Sequence, residues 1–207
     1  MNGLYAAKPW FVRRLKKVEN LLVGWDVSAD SLTAAALVVS LGCGLVLALG
    51  GILDQPLLWL LVPPLALVRL ALNALDGSLA CRKGTDRPFG EVINEMGDRL
   101  SDAALIGSLA FAAPVPLALT ALVATFVSST AGLLGRALLG DRISGGPMGK
   151  ADRLAAISLA ALAAGLWASP IPFEIALWVV LGGAVVTVAA RLVAIRRRLE
   201  ADSRVRF

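Results

Sequence analysis

The chain has 207 residues and no histidine, and its 20 Lys plus Arg against 15 Asp plus Glu leave a formal charge of +5. At 57% hydrophobic and 17% charged residues it lies on the lipid side of soluble domains, which run at about 45–50% and about 25%. The missing His excludes Ser–His triads, His-based acid–base chemistry and His-ligated zinc or haem, and two Cys make neither a disulfide framework nor a zinc quartet. A mean hydropathy of +0.76 leaves too little polar surface for a nucleic-acid module, despite a pI near 9.8.

Residues 1–31 precede the first apolar run. Trp10, Phe11, Leu15, Val18, Leu21 and Leu22 recur at helical spacing opposite Arg13, Arg14, Lys16 and Lys17. This is the pattern of an amphipathic helix lying on an anionic leaflet, and a charged segment that only fixes topology has the same composition. No cleavable signal peptide is expected, because the apolar run starts so late. Spanning a bilayer takes about 20 largely apolar helical residues. Six stretches qualify: 32–53, 56–79, 91–113, 115–139, 153–168 and 173–195. Pro63-Pro64 should kink the second stretch or shift its start. The third is the most polar and is retained because its charges fall on one helical side.

Lys and Arg fix the orientation. They crowd the N-terminal segment, the loop after the second stretch (Arg82, Lys83, Arg87), the loop after the fourth (Arg142, Lys150) and the tail from Arg196 to Arg206. The loops around Asp54, Pro114 and Pro170 carry none. Both termini and the two basic loops are therefore expected in the cytoplasm. The expected fold is an all-α integral membrane protein of six transmembrane helices over 32–196. An N-terminal amphipathic interfacial helix lies within 1–31, and a basic cytoplasmic tail covers 197–207.

Ionisable residues inside spans are costly and usually functional. The second stretch ends with Arg69, Asn73 and Asp76 at i, i+4 and i+7, and the third begins with a stripe of Glu91, Glu95, Asp98 and Asp102, with Asn94 four residues before Asp98. Short oxygen-bearing side chains on two neighbouring helices suit a hard divalent cation such as Mg2+. The competing reading makes them helix-end caps paired with Arg82, Arg87 and Arg99. Their number and spacing on two consecutive helices argue against it.

The run Asn73, Asp76, Gly77, Ala80, Cys81, Gly90, Asn94 and Asp98 resembles the signature of the CDP-alcohol phosphotransferase (CDP-alcohol phosphatidyltransferase) family, Asp-x2-Asp-Gly-x2-Ala-Arg-x8-Gly-x3-Asp-x3-Asp, with every spacing kept. The resemblance implies transfer of a phosphatidyl group from CDP-diacylglycerol to a small alcohol, with release of CMP. It implies a divalent metal, Mg2+ or Mn2+ in one or two ions, held by Asp76, Asn73, Asn94 and Asp98. Asp98 would be the base toward the acceptor hydroxyl, and Gly77, Ala80, Arg82 and Gly90 would lie along the nucleotide. A homodimer in a bacterial-type inner membrane, with its active site facing the cytoplasm, completes the expectation.

The departures are Asn73, Asn94 and Cys81, with Arg82 one step on. Formal charge over the four Asp positions drops from −4 to −2, which weakens the pull on a second cation. Three outcomes stay open. Glu95 or Glu91 replaces a carboxylate, one ion suffices with Arg82 or Arg87 neutralising phosphate oxygens, or the chain binds CDP-lipid or nucleotide without turnover. After the fourth stretch, Arg136, Arg142, Lys150 and Arg153 flank Gly145-Gly146-Pro147, read as a mobile loop. Family members that use phosphorylated alcohols hold the acceptor phosphate with basic residues here, and guanidinium suits that task. The positive-inside rule asks for the same residues. A transporter is disfavoured because the polar residues cluster at one membrane side.

Overall fold

The computed structural model describes residues 8–84, 88–140, 143 and 145–205, so Arg87 and Arg142 lie outside the described residues. Every regular element among these residues is helical, as expected: α1 Lys8–Arg14, α2 Lys16–Gly24, α3 Ala29–Ile52, α4 Val62–Lys83, α5 Pro88–Ser108, α6 Val115–Leu139, α7 Lys150–Trp167 and α8 Ile171–Val205. Helices α3 to α8 stand where the six stretches were expected. Four candidate spans, Ala29–Ile52, Pro56–Lys83, Val115–Leu139 and Ile171–Ala201, are long and apolar enough to cross a membrane. Charged residues in α5 (Glu91, Glu95, Asp98, Arg99, Asp102) and at the start of α7 (Lys150, Asp152, Arg153) set those two helices apart.

The boundaries agree with the expectation at one place and differ from it at two. Pro63-Pro64 shifts the start of its helix. Pro56–Leu61 forms a 3-10 turn and α4 begins with the prolines in its first turn, where the missing N–H breaks no intrahelical bond. The N-terminal segment forms two short helices meeting at Leu15. Part of its apolar face is turned to protein: Leu15, Leu22, Val23 and Val27 pack on Leu32, Leu75 and Leu79. The last helix runs on to Val205, through most of what was read as a separate tail.

α3 packs on α4 and α5, α6 on α8, and α7 on both α8 and α4, with α5 against α6. The core between these groups includes Leu47, Trp59, Leu105, Ile157, Phe173 and Leu177. Trp59 meets Phe173 edge-on at 4.9 Å between centroids and donates its indole N–H to the Leu47 carbonyl at 3.2 Å. Small residues bring backbones close. A Cβ on Gly44 of α3 would lie 2.6 Å from the Ala104 carbonyl oxygen of α5, so glycine sets the separation that brings the two helices together.

Candidate active site

α4 turns one face inward, as the i, i+4, i+7 spacing required. Arg69 and Asp76 are buried and Asn73 is half-buried. The Asp76 carboxylate accepts from Thr33 Oγ1 of α3 at 3.2 Å and from the Gly77 amide at 2.6 Å. Its orientation is therefore set by a neighbouring helix as well as by its own backbone. On α5, Asp98 and Glu95 are buried and Asn94 is half-buried. Asp98 Oδ1 accepts from Lys150 Nζ at the start of α7, and Asp102 Oδ2 accepts from Arg153 Nη2 at 2.7 Å.

A cavity of about 620 Å³ opens among these helices, with Arg69, Asn73, Asn94, Asp98, Lys150 and Arg153 on its walls. Five of its lining residues are cationic (Arg69, Arg99, Lys150, Arg153, Arg191) and two are acidic (Asp98, Asp152). Pro63, Leu67, Leu70 and Leu159 give it an apolar side, and Trp10 and Phe11 of α1 also line it. The chamber pairs a cationic wall with a greasy one. That combination suits a ligand with both phosphates and acyl chains.

The structure thus gathers Asn73, Asn94, Asp98, Lys150 and Arg153 around one space. Asp76 lies next to Gly77 on the same helix, where Ala80 is half-buried and Gly77 exposed. Gly90, half-buried near the start of α5, has Asp30 as its nearest neighbour in the Cβ direction, at 3.8 Å. Other expected residues turn elsewhere. Arg82 donates to Asn20 Oδ1 of α2 at 2.6 Å. Arg136 pairs with Glu91, and Glu95 Oε2 lies 3.5 Å from Arg99 on its own helix. Arg82, Arg136 and Glu95 do not line the cavity.

Sequence reasoning missed Arg191. Its Nε donates to the Gly145 carbonyl at 3.0 Å and its Nη1 to the Ser128 carbonyl at 2.5 Å. The Met148 amide donates to Thr187 Oγ1 at 3.0 Å. The loop read as mobile is instead pinned to α8 at Gly145 and Met148. Gly146 adopts φ +123, and a Cβ there would lie 2.4 Å from Thr187 Cγ2, so only glycine passes this point without strain. The available signal was a lone Arg inside an apolar span. The donors at the site are all oxygens: two carboxylates (Asp76, Asp98) and two amides (Asn73, Asn94). Among the described residues, no three of His, Cys, Asp and Glu assemble as a metal cluster.

Known proteins resemble this chain in sequence and in fold. The chain is 36% identical over 177 residues to the inner membrane protein YnbA of Escherichia coli, a match covering 84% of this chain and 87% of that protein. It is 31% identical over 202 residues to the phosphatidylinositol phosphate synthase of Corynebacterium glutamicum, covering 93% and 88%. Its fold matches the crystal structure of Mycobacterium tuberculosis phosphatidylinositol phosphate synthase (PgsA1) with CDP-DAG bound, at a TM-score of 0.70 and 22% identity over 88% of this chain and 94% of that one. The same enzyme in complex with manganese and citrate matches with a TM-score of 0.70 at 22% identity, over 86% of this chain and 87% of that one. No family model matches the chain. Through its relatedness to the Corynebacterium synthase, the chain belongs to the CDP-alcohol phosphatidyltransferase family.

Proposed function

We propose that the chain is a phosphatidyltransferase of a bacterial inner membrane. It takes CDP-diacylglycerol, passes the phosphatidyl group to a small phosphorylated alcohol, and releases CMP. The observation that carries this reading is that Asn73, Asn94 and Asp98, at the family spacing, line a chamber with a cationic wall and an apolar one, with Asp76 buried three residues after Asn73 on the same helix.

In this reading the acceptor hydroxyl oxygen attacks the phosphatidyl phosphorus. The bond from that phosphorus to the CMP oxygen breaks, and the hydroxyl proton passes to Asp98. Lys150, in contact with Asp98, holds the carboxylate that accepts it. Asp76, held by Thr33 and the Gly77 amide, supplies the second carboxylate. A divalent cation, Mg2+ or Mn2+, bound by Asp76 and Asp98 with the Asn73 and Asn94 carbonyls would supply positive charge against the diphosphate. Two carboxylates and two amides suit one such ion. Glu95 is engaged by Arg99, which favours a structural role for it. Lys150, Arg153 and Arg191 form the side that receives the acceptor phosphate. Acyl chains enter along Pro63, Leu67 and Leu70 of α4 and Leu159 of α7.

The same reading has α3 to α8 all crossing the bilayer as one membrane domain, with α1 and α2 on the cytoplasmic leaflet. The termini and the chamber mouth face the cytoplasm, and the chain works as a homodimer. Purified protein, CDP-diacylglycerol, Mg2+ or Mn2+ and a panel of alcohols and alcohol phosphates test it. Acceptor-dependent CMP release supports transfer. Saturable binding of CDP-diacylglycerol with no CMP release on any acceptor would make the chain a binding protein.

A further inference from the structure

The transfer reading leaves Arg69 unused. Arg69 is 1% exposed, among the largest fully buried side chains, and sits one helical turn before Asn73 on α4. Its Nε and Nη2 have no hydrogen-bond partner among the described residues, although it lines the chamber. Leaving donors of a buried cation unpaired is costly unless a ligand completes them. The chamber's carboxylates are engaged elsewhere, Asp98 by Lys150 and Asp152 by the Gly149 amide, and Asp102 is paired with Arg153.

Position 73 explains why that charge stays available. Residues 69 and 73 are i and i+4 neighbours on one helix face, the spacing at which a carboxylate would pair with Arg69 within the helix. Asn73 is neutral. The residue that subtracts a negative charge from the donor set also leaves the arginine one turn away without a carboxylate beside it.

We propose that Arg69 is a substrate-binding residue whose Nε and Nη2 donate to an anionic oxygen of the diphosphate of a CDP-linked lipid. This inference rests on the transfer reading and deepens it. A fork of two N–H donors matches a phosphate edge. The guanidinium adds a fixed positive charge at the signature end of the chamber, where Asn73 and Asn94 have removed two negative ones.

Equilibrium binding of CDP and of glycerol 3-phosphate to detergent-solubilised protein in Mg2+ buffer tests the assignment, with the melting temperature of each ligand-free variant as control. Arg69→Gln should weaken CDP binding by roughly 10- to 100-fold, the loss expected for charge-assisted hydrogen bonds. It should leave glycerol 3-phosphate binding within about twofold, and Arg69→Lys should recover part of the CDP affinity. Undiminished CDP affinity in Arg69→Gln, or a loss confined to glycerol 3-phosphate, overturns the assignment. So does a collapse of the melting temperature in Arg69→Gln with normal CDP affinity in Arg69→Lys, because that marks a structural arginine. If the wild type itself binds no CDP and no CDP-diacylglycerol, the transfer reading fails along with this one. Normal wild-type binding with an unaffected Arg69→Gln variant sinks this inference alone.

Discussion

At the residue scale the chemistry depends on few side chains, and their partners decide which. Asp98 and Glu95 stand on the same stripe of α5, yet Asp98 faces the chamber beside Lys150 while Glu95 is tied to Arg99. Asp98→Asn should cut CMP release by about 100- to 10,000-fold, the usual cost of a lost general base. Turnover near the wild-type rate would remove Asp98 from that role. Glu95→Gln should leave the metal concentration for half-maximal activity essentially unchanged, since Glu95 is tied to Arg99 and does not line the chamber. A strongly raised requirement would instead make Glu95 a ligand. The stripe was legible from spacing alone. The division of labour along it was not, because Lys150 arrives from α7 and no periodicity within α5 reveals it.

At the element scale the N-terminal helices are more than a basic patch. Glu19 of α2 is buried and accepts from Ser78 Oγ of α4 at 2.8 Å, Arg82 donates to Asn20, and Lys83 pairs with Asp26 at 2.7 Å. Three successive ties hold α2 and the turn after it to the end of α4 that carries Asp76 and Gly77. The hydrogen bond from Lys83, and then its charge, hold the Asp26 carboxyl below its usual range. A lowered folded-state pKa stabilises above the unfolded value, about 4 for Asp, and that contribution is lost as pH falls through the folded one. Asp26→Asn should therefore melt below wild type at pH 7, with the gap closing in melts recorded toward pH 3. A gap that widens on acidification would contradict the tie. The loop before α7 makes a second element-scale case. Gly146→Ala should destabilise the protein by about 1–3 kcal/mol, because the left-handed backbone and the Thr187 contact both oppose a methyl group. Melting unchanged from wild type would show that the loop relaxes freely. The sequence marked this loop by its Gly-Gly-Pro but misjudged it as mobile, since the fixing groups, Arg191 and Thr187, lie about 40 residues further along the chain.

At the scale of the whole molecule, the helical class and the order of six apolar stretches could be read from periodicity and breakers. Their unequal character emerges only when the helices are compared. Four candidate spans are long and apolar enough to cross a membrane, while α5 and α7 carry most of the charged residues that face the chamber, Arg69 of α4 and Arg191 of α8 being the others. A helix that lines a polar chamber is shielded by its neighbours and can carry charge that a lipid-facing helix cannot. Reporter fusions should place both termini on the cytoplasmic side, and a periplasmic signal from either one would break the six-span topology. The central claim is transfer itself. Mass spectrometry of the lipids formed when the reconstituted protein meets CDP-dioleoylglycerol, Mg2+ or Mn2+ and a panel of alcohol phosphates tests it most directly. The account predicts one new dioleoyl phospholipid bearing an acceptor from the panel, formed mole for mole with CMP and absent with Asp98→Asn. Intact CDP-dioleoylglycerol and no new lipid with any acceptor, from protein that binds the donor, would contradict it.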